Sequence, residues 1–494
     1  MKPRIKPPQP ANGSATSSPR SPVDITPSSS RSISPAVFAC VAVAAYNIHR
    51  PYIVSLSLAV LAFLLVVDLI PRTRDMFVRA SMTGRDQSKK DKSTAIPEPA
   101  GVIACLVFLI VLFCFIPVPF LPFAGHQRAY AADGTITETN MAVNSPEAVP
   151  LFPHEKLVEL LCALVSISSM ILLGFADDVF DIRWVTKIYL SLISTLPLIL
   201  VYYANFGVTA VMVPVQLRPW LGRVVDLGIF YYLLTSLFCV FFTNSINLLA
   251  GINGVEVSTS LVIALSVVLN DALYLLPGAT TDARAVASHA FSSYVMLPFV
   301  GVSAGLAVWN WYPAKVFVGD TYTYFAGITF ASVAVLSHFT KTMMLFFLPQ
   351  LFNFVLSLPQ LFRIVPCPRH RLPQYVPAQD HLIPSRAQFS FSPSHPPSLL
   401  LRLILATASN LRLVSVSYDP ASGYPTSCTN FTLLCVLLNI FGPMHERTLC
   451  IAVVGIQVLA SALAFAVRYG VAGWVYDVDV KGDSWVAGLL KGTV

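Results

Sequence analysis

The sequence predicts an all-α polytopic membrane protein with about ten transmembrane helices. Of its 494 residues, 55% are hydrophobic and only 12% are charged. The mean hydropathy of the chain is +0.68. Soluble domains carry about 25% charged residues, so this composition excludes a soluble globule. Apolar runs of bilayer length also recur along the chain, and they set the helix count.

Ten apolar stretches are long enough to cross a bilayer, which requires roughly 20 residues each. They lie at 51–70, 101–123, 157–175, 186–204, 227–246, 256–276, 291–309, 321–339, 342–362 and 448–467. A shorter apolar stretch, 36–48, is followed by His49 and Arg50. It either extends the first helix or lies at the membrane interface.

This pattern divides the chain into four parts. Residues 1–35 are rich in Pro and Ser, which predicts a disordered tail. Residues 36–362 form a transmembrane core with the first nine spans. Residues 363–447 form a loop subdomain, and residues 448–494 hold the last helix and the C-terminal tail.

The loops between the predicted spans alternate in charge. The loop after the first span is basic, the loop at 124–156 is mainly acidic, and the loop after the ninth span is basic again. Because basic loops remain in the cytosol, we expect the subdomain at 363–447 to be cytosolic. The N-terminal tail is also basic, and it reaches the same side only if 36–48 forms an additional span.

The net charge and the cysteine spacing exclude three further features. A net charge of +7 does not indicate nucleic-acid binding, because membrane proteins concentrate Lys and Arg in cytosolic loops. The nine Cys residues are scattered, and no pair has the spacing of metal ligands. We therefore predict no nucleic-acid partner, no zinc site and no disulfide framework.

The first unusual motif is "GFADDVFDIRWVTK", which places Asp177, Asp178 and Asp181 at the end of an apolar run. Lys187 follows inside the next span. Ionisable side chains at membrane depth are costly and usually functional. The competing interpretation is a solvated loop whose acids cap the next helix.

The second motif is "TNSINLLAGINGVE", which is rich in amides and glycines. Asn244, Asn247 and Asn253 offer neutral oxygen ligands, which suit a Mg²⁺ ion held mainly by substrate phosphates. Gly251 lets the backbone approach a ligand closely. A helix break that requires Gly and Asn explains the same pattern.

Three weaker motifs fall at span ends on the same side of the predicted membrane. "VFVGD" ends in Asp320, "PCPRHRLP" contains Arg369, His370 and Arg371, and "AIPEPAG" contains Glu98. Taken singly, they indicate a helix cap, a basic cytosolic loop and a turn. Together with the first two motifs, they supply carboxylates, amides and guanidiniums at one membrane face. That set predicts phosphoryl transfer at the cytosolic surface, where positioning and charge neutralisation supply most of the catalysis.

These motifs, together with "FLPQLFNFVLSLPQLFRIVPCPRHRLP" and "GPMHER", resemble the eukaryotic UDP-N-acetylglucosamine–dolichyl-phosphate N-acetylglucosaminephosphotransferases. This family lies in the polyprenyl-phosphate hexosamine-1-phosphate transferase superfamily. The resemblance implies that UDP-GlcNAc and dolichyl phosphate react with Mg²⁺ to give GlcNAc-diphosphodolichol and UMP. It further implies a multi-pass protein of the endoplasmic reticulum membrane, an active site facing the cytosol, inhibition by tunicamycin and a homodimer.

The resemblance also implies roles for individual residues. The catalytic group is Asp177, Asp178 and Lys187. The two Asp residues would orient or deprotonate the acceptor phosphate and support the metal site, and Lys187 would contact a phosphate. The metal group, which holds Mg²⁺ with the nucleotide pyrophosphate, is Asn247 and Asp320. The substrate group is Arg369 at the pyrophosphate, His370, Arg371 and Trp184 at the sugar, Gly251, Asn253 and Phe317 at the uracil, and Glu98 beside the uridine.

Two other functions compete with this interpretation. The first is transfer of a different UDP-sugar phosphate to a polyprenyl phosphate. His370 and Arg371, as the residues that read the sugar, would discriminate between this reaction and transfer from UDP-GlcNAc. The second is a transporter, which predicts charges near helix centres and paired repeats. In this sequence the charges lie at span ends on one side, and no convincing repeat is present.

Overall fold

The computed structural model describes residues 34–86, 94–123, 153–276, 280, 282–368, 371–391, 396–420, 422–471, 473 and 475. The described part is mostly helical. Its α-helices are α1 (Ser34–Tyr46), α2 (Pro51–Arg79), α3 (Gly101–Phe115), α4 (His154–Phe180), α5 (Trp184–Asn205), α6 (Arg218–Leu221), α7 (Ile229–Leu249), α8 (Val255–Leu275), α9 (Ala283–Asn310), α10 (Gly319–Leu336), α11 (Thr340–Phe346), α12 (Leu348–Leu361), α13 (Leu399–Asn410), α14 (Leu433–Phe441) and α15 (Glu446–Ala466).

Short antiparallel strands occupy the connections between helices. Strand β1 (Thr83–Arg85) pairs with β2 (Ala95–Pro97), β3 (Ala210–Met212) with β4 (Val224–Asp226), and β5 (Gln374–Val376) with β6 (His381–Ile383). A three-stranded sheet has the order β7 (Arg386–Gln388), β9 (Pro425–Thr429) and β8 (Val416–Tyr418).

The predicted count of ten spans is not confirmed. Eight helices of the described chain are long and apolar enough to cross a membrane, and a ninth span results if α11 and α12 are counted together. These two helices meet at a bend of 74°, where the sequence predicted one straight span at 342–362. The polytopic, helical character of the prediction is confirmed.

Helix α10, which was predicted as a span at 321–339, is not among the eight apolar helices. Every residue from Thr321 to Leu336 is buried, because α10 packs against α3, α4, α7 and α9. Gly327 allows a close contact with α7, since a Cβ there would lie 2.4 Å from the Phe242 carbonyl oxygen. Small residues permit such helix approach within membranes. A helix with protein on every side tolerates Thr and Tyr, which lowers its hydropathy.

The segment between α12 and α15 builds a small mixed unit from β5–β9, α13 and α14. Its own core contains Ala387, Leu401, Leu405 and Cys428, all buried. Leu356 of α12 belongs to the same cluster. The unit is therefore packed onto the end of the helical bundle, beside the loop between α7 and α8.

Candidate active site

Four polar side chains from different helices meet at one end of the bundle. Lys187 Nζ of α5 lies 2.7 Å from Asp177 Oδ2 of α4 and 3.3 Å from Asp320 Oδ2 of α10. Asn247 of α7 donates from Nδ2 to Asp320 Oδ1 at 2.6 Å. The lysine therefore bridges two carboxylates, and the amide completes a chain of contacts across four helices. The sequence motifs that carry these residues converge in space as predicted.

Besides Lys187, Asp177 has two partners that the sequence analysis missed. The Tyr324 hydroxyl donates to Asp177 Oδ2 at 3.1 Å, and the backbone N–H of Ile182 donates to Oδ1 at 3.0 Å. Tyr324 follows Asp320 by four residues, so both side chains share one face of α10. That spacing is the sequence signal that could have identified Tyr324.

Asp178 faces the beginning of α10. Its Oδ1 accepts from the backbone N–H of Asp320 at 2.7 Å, while its Oδ2 accepts from the N–H of Thr321 at 3.0 Å and from the Thr321 hydroxyl at 2.5 Å. A carboxylate at this point satisfies N–H groups that the helix leaves unpaired. Asp178 thereby fixes the position of Asp320 from outside α10.

Asp181 ends α4 in a left-handed conformation with φ of 49°. Its backbone N–H donates to the Asp177 carbonyl, and its side chain is exposed. The third acid of the motif therefore shapes the turn between α4 and α5. This turn brings Lys187 back towards the acids of α4.

An apolar cleft of about 920 Å³ adjoins the polar chain. Its walls include side chains of α5, α7 and α12, and its polar end contains Lys187, Asn247, Trp184, Gly251 and Arg371. Arg371 Nη1 is buried, and no residue in the described ranges pairs with it. An unpaired guanidinium N–H beside a cleft suits an anionic or hydroxylated ligand.

The remaining described candidates form a second group beside this cleft. A Cβ at Gly84 of β1 would lie 2.5 Å from Glu98 Oε2 and 3.1 Å from the Phe317 ring, so these three residues are neighbours. Although Glu98 retains solvent access, the surrounding protein raises its pKa by disfavouring the charged form, and the nearby Asp178 charge adds to this effect. A raised pKa makes Glu98 easier to protonate than a Glu surrounded only by water.

Asn253 occupies the same side of the site in the loop before α8. Its side chain donates to Asp86 and its backbone to Glu446. Neither Asp86 nor Glu446 was singled out from the sequence as a site residue, because each contact joins residues that are far apart in the chain. Two other candidates, Arg369 and His370, lie outside the described residues.

The residues predicted to bind magnesium have suitable chemistry. Mg²⁺ prefers oxygen ligands and usually takes one or two carboxylates together with substrate phosphates and water. Asp320 supplies a carboxylate, and Asn247 supplies an amide oxygen if its side chain turns over from its present hydrogen bond. No group of three or more His, Cys, Asp or Glu with metal-binding geometry occurs in the described part. The pair thus fits an ion that depends on its substrate for further ligands.

A match to a protein-family model defines the class of this protein. Residues 160–338 match the family model of glycosyl transferase family 4, a segment that contains Asp177, Lys187, Asn247 and Asp320. The fold and this match together define a polytopic membrane glycosyl transferase.

Individual relatives of known name define the enzyme family within this class. The chain is 42% identical over 434 residues to the UDP-N-acetylglucosamine–dolichyl-phosphate N-acetylglucosaminephosphotransferase of Schizosaccharomyces pombe, covering 87% of this chain and 95% of the relative. The Saccharomyces cerevisiae enzyme of that name is 40% identical, with 86% and 93% covered, and the Dictyostelium discoideum enzyme is 37% identical, with 83% and 86% covered. The chain belongs to this family of N-acetylglucosaminephosphotransferases, and the resemblance found from the motifs is confirmed.

Proposed function

We propose that this protein transfers GlcNAc-1-phosphate from UDP-GlcNAc to dolichyl phosphate, giving GlcNAc-diphosphodolichol and UMP. This reaction begins the lipid-linked oligosaccharide used for protein N-glycosylation. The observation that carries the proposal is the position of Lys187, between Asp177 and Asp320 and at the polar end of an apolar cleft. A lipid phosphate requires a positive charge next to apolar walls, and a nucleotide pyrophosphate requires a positive charge as well.

The cleft accommodates the lipid acceptor. Dolichyl phosphate joins a long apolar chain to a doubly charged head, and the cleft joins apolar walls to a polar end in the same way. With the chain along α7 and α12, the phosphate lies at Lys187. Asp177 and Tyr324 orient this lysine by the contacts described above.

The chemical step is an in-line displacement at the β-phosphorus. An oxygen of dolichyl phosphate forms the new P–O bond, the bond from the β-phosphorus to the bridging oxygen breaks, and UMP leaves with that oxygen. The acceptor phosphate is already largely ionised at neutral pH, so the step requires no strong base. Asp177 accordingly positions Lys187 and the acceptor, and a trapped phosphoryl group on Asp177 would contradict this direct displacement.

Asp320 and Asn247 are the residues that would hold Mg²⁺. The bound ion would neutralise charge on the pyrophosphate oxygens. Asp178 supports this pair because it fixes the backbone of Asp320. The assignment predicts that chelation of divalent cations stops transfer and that added Mg²⁺ restores it.

The nucleotide sugar lies beside the metal pair. We assign Phe317 to stacking on the uracil, Gly251 and Asn253 to contacts with it, and Glu98 to the neighbouring uridine. Trp184, His370 and Arg371 border or read the GlcNAc, and Arg369 meets the pyrophosphate. The unpaired Arg371 Nη1 supports a ligand at this position.

The proposal includes the cellular setting. We assign the protein to the endoplasmic reticulum membrane with the site facing the cytosol, because the site lies at the end of the bundle next to the basic segment that follows α12. A homodimer is proposed from the family resemblance. Selective permeabilisation of the plasma membrane, with an epitope tag inserted in the 363–447 segment, tests the orientation.

The decisive experiment uses membranes from cells that express the chain. They are incubated with sugar-labelled UDP-GlcNAc and dolichyl phosphate, with and without Mg²⁺. Lipid-soluble label that requires Mg²⁺ and disappears with tunicamycin is the expected result. Absence of such label from folded protein refutes the proposal, and faster transfer from UDP-GalNAc than from UDP-GlcNAc would favour a different UDP-sugar as donor.

Asp320→Ala tests the metal assignment within the same assay. The variant loses a carboxylate that contacts both Lys187 and Asn247. We expect transfer to fall by about 100-fold or more, as for removal of other groups that stabilise developing charge, while expression is retained. Asp226→Asn, on exposed β4, is the control and should retain activity. Full activity of Asp320→Ala would exclude this residue as a metal ligand.

A further inference from the structure

Two carboxylates from opposite ends of the chain hold Asn253. Asp86, directly after β1, accepts from Asn253 Nδ2 at 2.9 Å. Glu446, the first residue of α15, accepts from the Asn253 backbone N–H at 2.8 Å. All three residues are buried, with exposures of 6% for Asn253, 6% for Asp86 and 3% for Glu446. Buried contacts of this kind fix a side chain in one orientation.

The contact with Asp86 decides which end of the amide remains for a ligand. An ionised carboxylate only accepts hydrogen bonds, so the Asn253 amide must turn its NH₂ group towards Asp86. The amide oxygen, Oδ1, then points away from that carboxylate. Within the described ranges no donor pairs with Oδ1. Asn253 therefore presents an acceptor to any ligand that reaches it.

The hairpin that carries Asp86 also borders the nucleotide side of the site. Gly84, two residues earlier, lies against both Glu98 and the Phe317 ring. Strand β1 and the residue after it therefore link two groups of residues: Asp86 contacts Asn253 in the loop before α8, and Gly84 contacts Glu98 and Phe317. The "GPMHER" motif, which contains Glu446, contributes the remaining contact.

We propose that Asp86 is a positioning residue that makes the site selective for uracil over cytosine, acting through Asn253. This inference rests on the proposed function, in which Asn253 contacts the base. Uracil carries a hydrogen on N3 and can donate to a fixed acceptor. Cytosine has an unprotonated N3 and meets that acceptor with a lone pair. Glu446 has a separate role, because it fixes the backbone of Asn253 and leaves the amide orientation unchanged.

The test compares UDP-GlcNAc with CDP-GlcNAc as donors for the purified full-length protein in lipid nanodiscs. In Asp86→Asn the new side chain can donate or accept, so the Asn253 amide can turn over. We expect the kcat/KM ratio for UDP-GlcNAc over CDP-GlcNAc to fall about tenfold, the size of one uncharged hydrogen bond, mainly through KM. Asp226→Asn, which lies on β4 outside the site, should keep the wild-type ratio.

A merely structural role of Asp86 would lower activity with both donors equally and leave the ratio unchanged, which would overturn the inference. Glu446→Ala should weaken both donors without altering their ratio. If Asp86→Asn does not fold, Asp86→Ser removes the same carboxylate with less bulk and carries the same expectation.

Calorimetric binding of UMP and CMP separates this inference from the proposed function. Wild-type protein should prefer UMP, and Asp86→Asn should lose most of that preference. A uracil preference that depends on Asp86 would support the inference even if no GlcNAc-phosphate were transferred. Equal binding of UMP and CMP by the wild type would overturn it even in an active transferase.

Discussion

At the scale of single residues, the site depends on one lysine placed between two acids. Asp177 and Asp320 come from different helices, and Lys187 contacts both of them. Removing the ammonium would leave two carboxylates facing each other in a partly buried space, where their repulsion is poorly screened. Lys187 therefore organises the site, and under the proposed function it supplies the charge that a phosphate requires.

Lys187→Met should reduce kcat/KM for transfer by about 100-fold, as expected when a charge-stabilising donor is lost. The reason is twofold: the acceptor phosphate loses its cation, and Asp177 loses a contact that orients it. Labelled transfer measures the loss, and size-exclusion chromatography verifies folding.

Arg72→Met is the matched control for Lys187→Met. Arg72 pairs with Asp68 on the surface of α2, and 70% of its side chain is exposed. Exposed pairs contribute about 0–1 kcal/mol, so this variant should behave as the wild type. Near-normal transfer by Lys187→Met would contradict the central role of the lysine.

The sequence predicted which residues converge, but it did not predict all of their contacts. Asp177, Lys187, Asn247 and Asp320 were recognisable because polar groups at helix ends on one membrane side must share that surface. The contact of Asp178 with the N–H groups of α10 was not recognisable. It depends on how closely two helices pack, and a single sequence carries no direct signal for that distance.

At the scale of elements, the beginning of α10 controls the geometry of the acids. Gly319 has φ of +71°, and it lies between Pro99 and Asp178. Glycine adopts this conformation without the steric cost that a Cβ imposes. The tight approach allows Asp178 to reach the Asp320 N–H and so connects the end of α4 with the start of α10.

Gly319→Ala should therefore reduce both stability and transfer. Its Cβ would lie 2.2 Å from Pro99 Cβ and 2.7 Å from Asp178 Oδ2, which requires backbone movement. We expect roughly 2 kcal/mol or more of destabilisation, from overpacking and left-handed strain together. Thermal unfolding in detergent and the transfer assay measure the two effects.

Gly442→Ala separates the strain from the steric clash. Gly442 has φ of +83°, but a Cβ there would meet no atom within 4 Å. Its ψ of −179° places it in a region that essentially only Gly adopts, so this variant should lose about 1–3 kcal/mol of stability and retain transfer. Equal loss of transfer in both variants would show that the approach of Asp178 to α10 is unimportant.

Element boundaries were predicted well where the apolar signal was strong. The spans predicted at 256–276 and 448–467 correspond to α8 and α15 with small shifts. The bend between α11 and α12 was not predicted, because hydropathy continues through it. The full burial of α10 was also not predicted, since hydropathy alone does not separate lipid neighbours from protein neighbours.

At the scale of the whole molecule, three helices form most of the cleft wall. Helices α5, α7 and α12 contribute the walls, and α10 places Tyr324 at the polar end. Hydropathy predicts that these helices are apolar, but it does not predict which apolar faces remain unpacked. The cleft exists only where these helices pack around α10. Lipid binding in the cleft must therefore be tested in the intact, folded protein.

Val240→Trp tests whether this cleft receives the lipid chain. Val240 lies on the α7 wall, and an indole there fills space that the chain would occupy. Overpacking costs about 1–3 kcal/mol, so KM for a long-chain dolichyl phosphate should rise about tenfold. KM values for UDP-GlcNAc and for a polyprenyl phosphate of very short chain should remain near those of the wild type, because neither substrate reaches Val240.

Leu200→Trp provides the matched control, because Leu200 lines a different groove of about 1050 Å³ between α4, α5 and α7. A Trp at this position adds the same bulk outside the cleft and should leave every KM unchanged. The contrast between the two variants locates the lipid on one side of α5. If Leu200→Trp selectively raised KM for the long chain while Val240→Trp did not, the lipid would bind along the second groove, and Lys187 would have to meet its phosphate from the opposite side of α5.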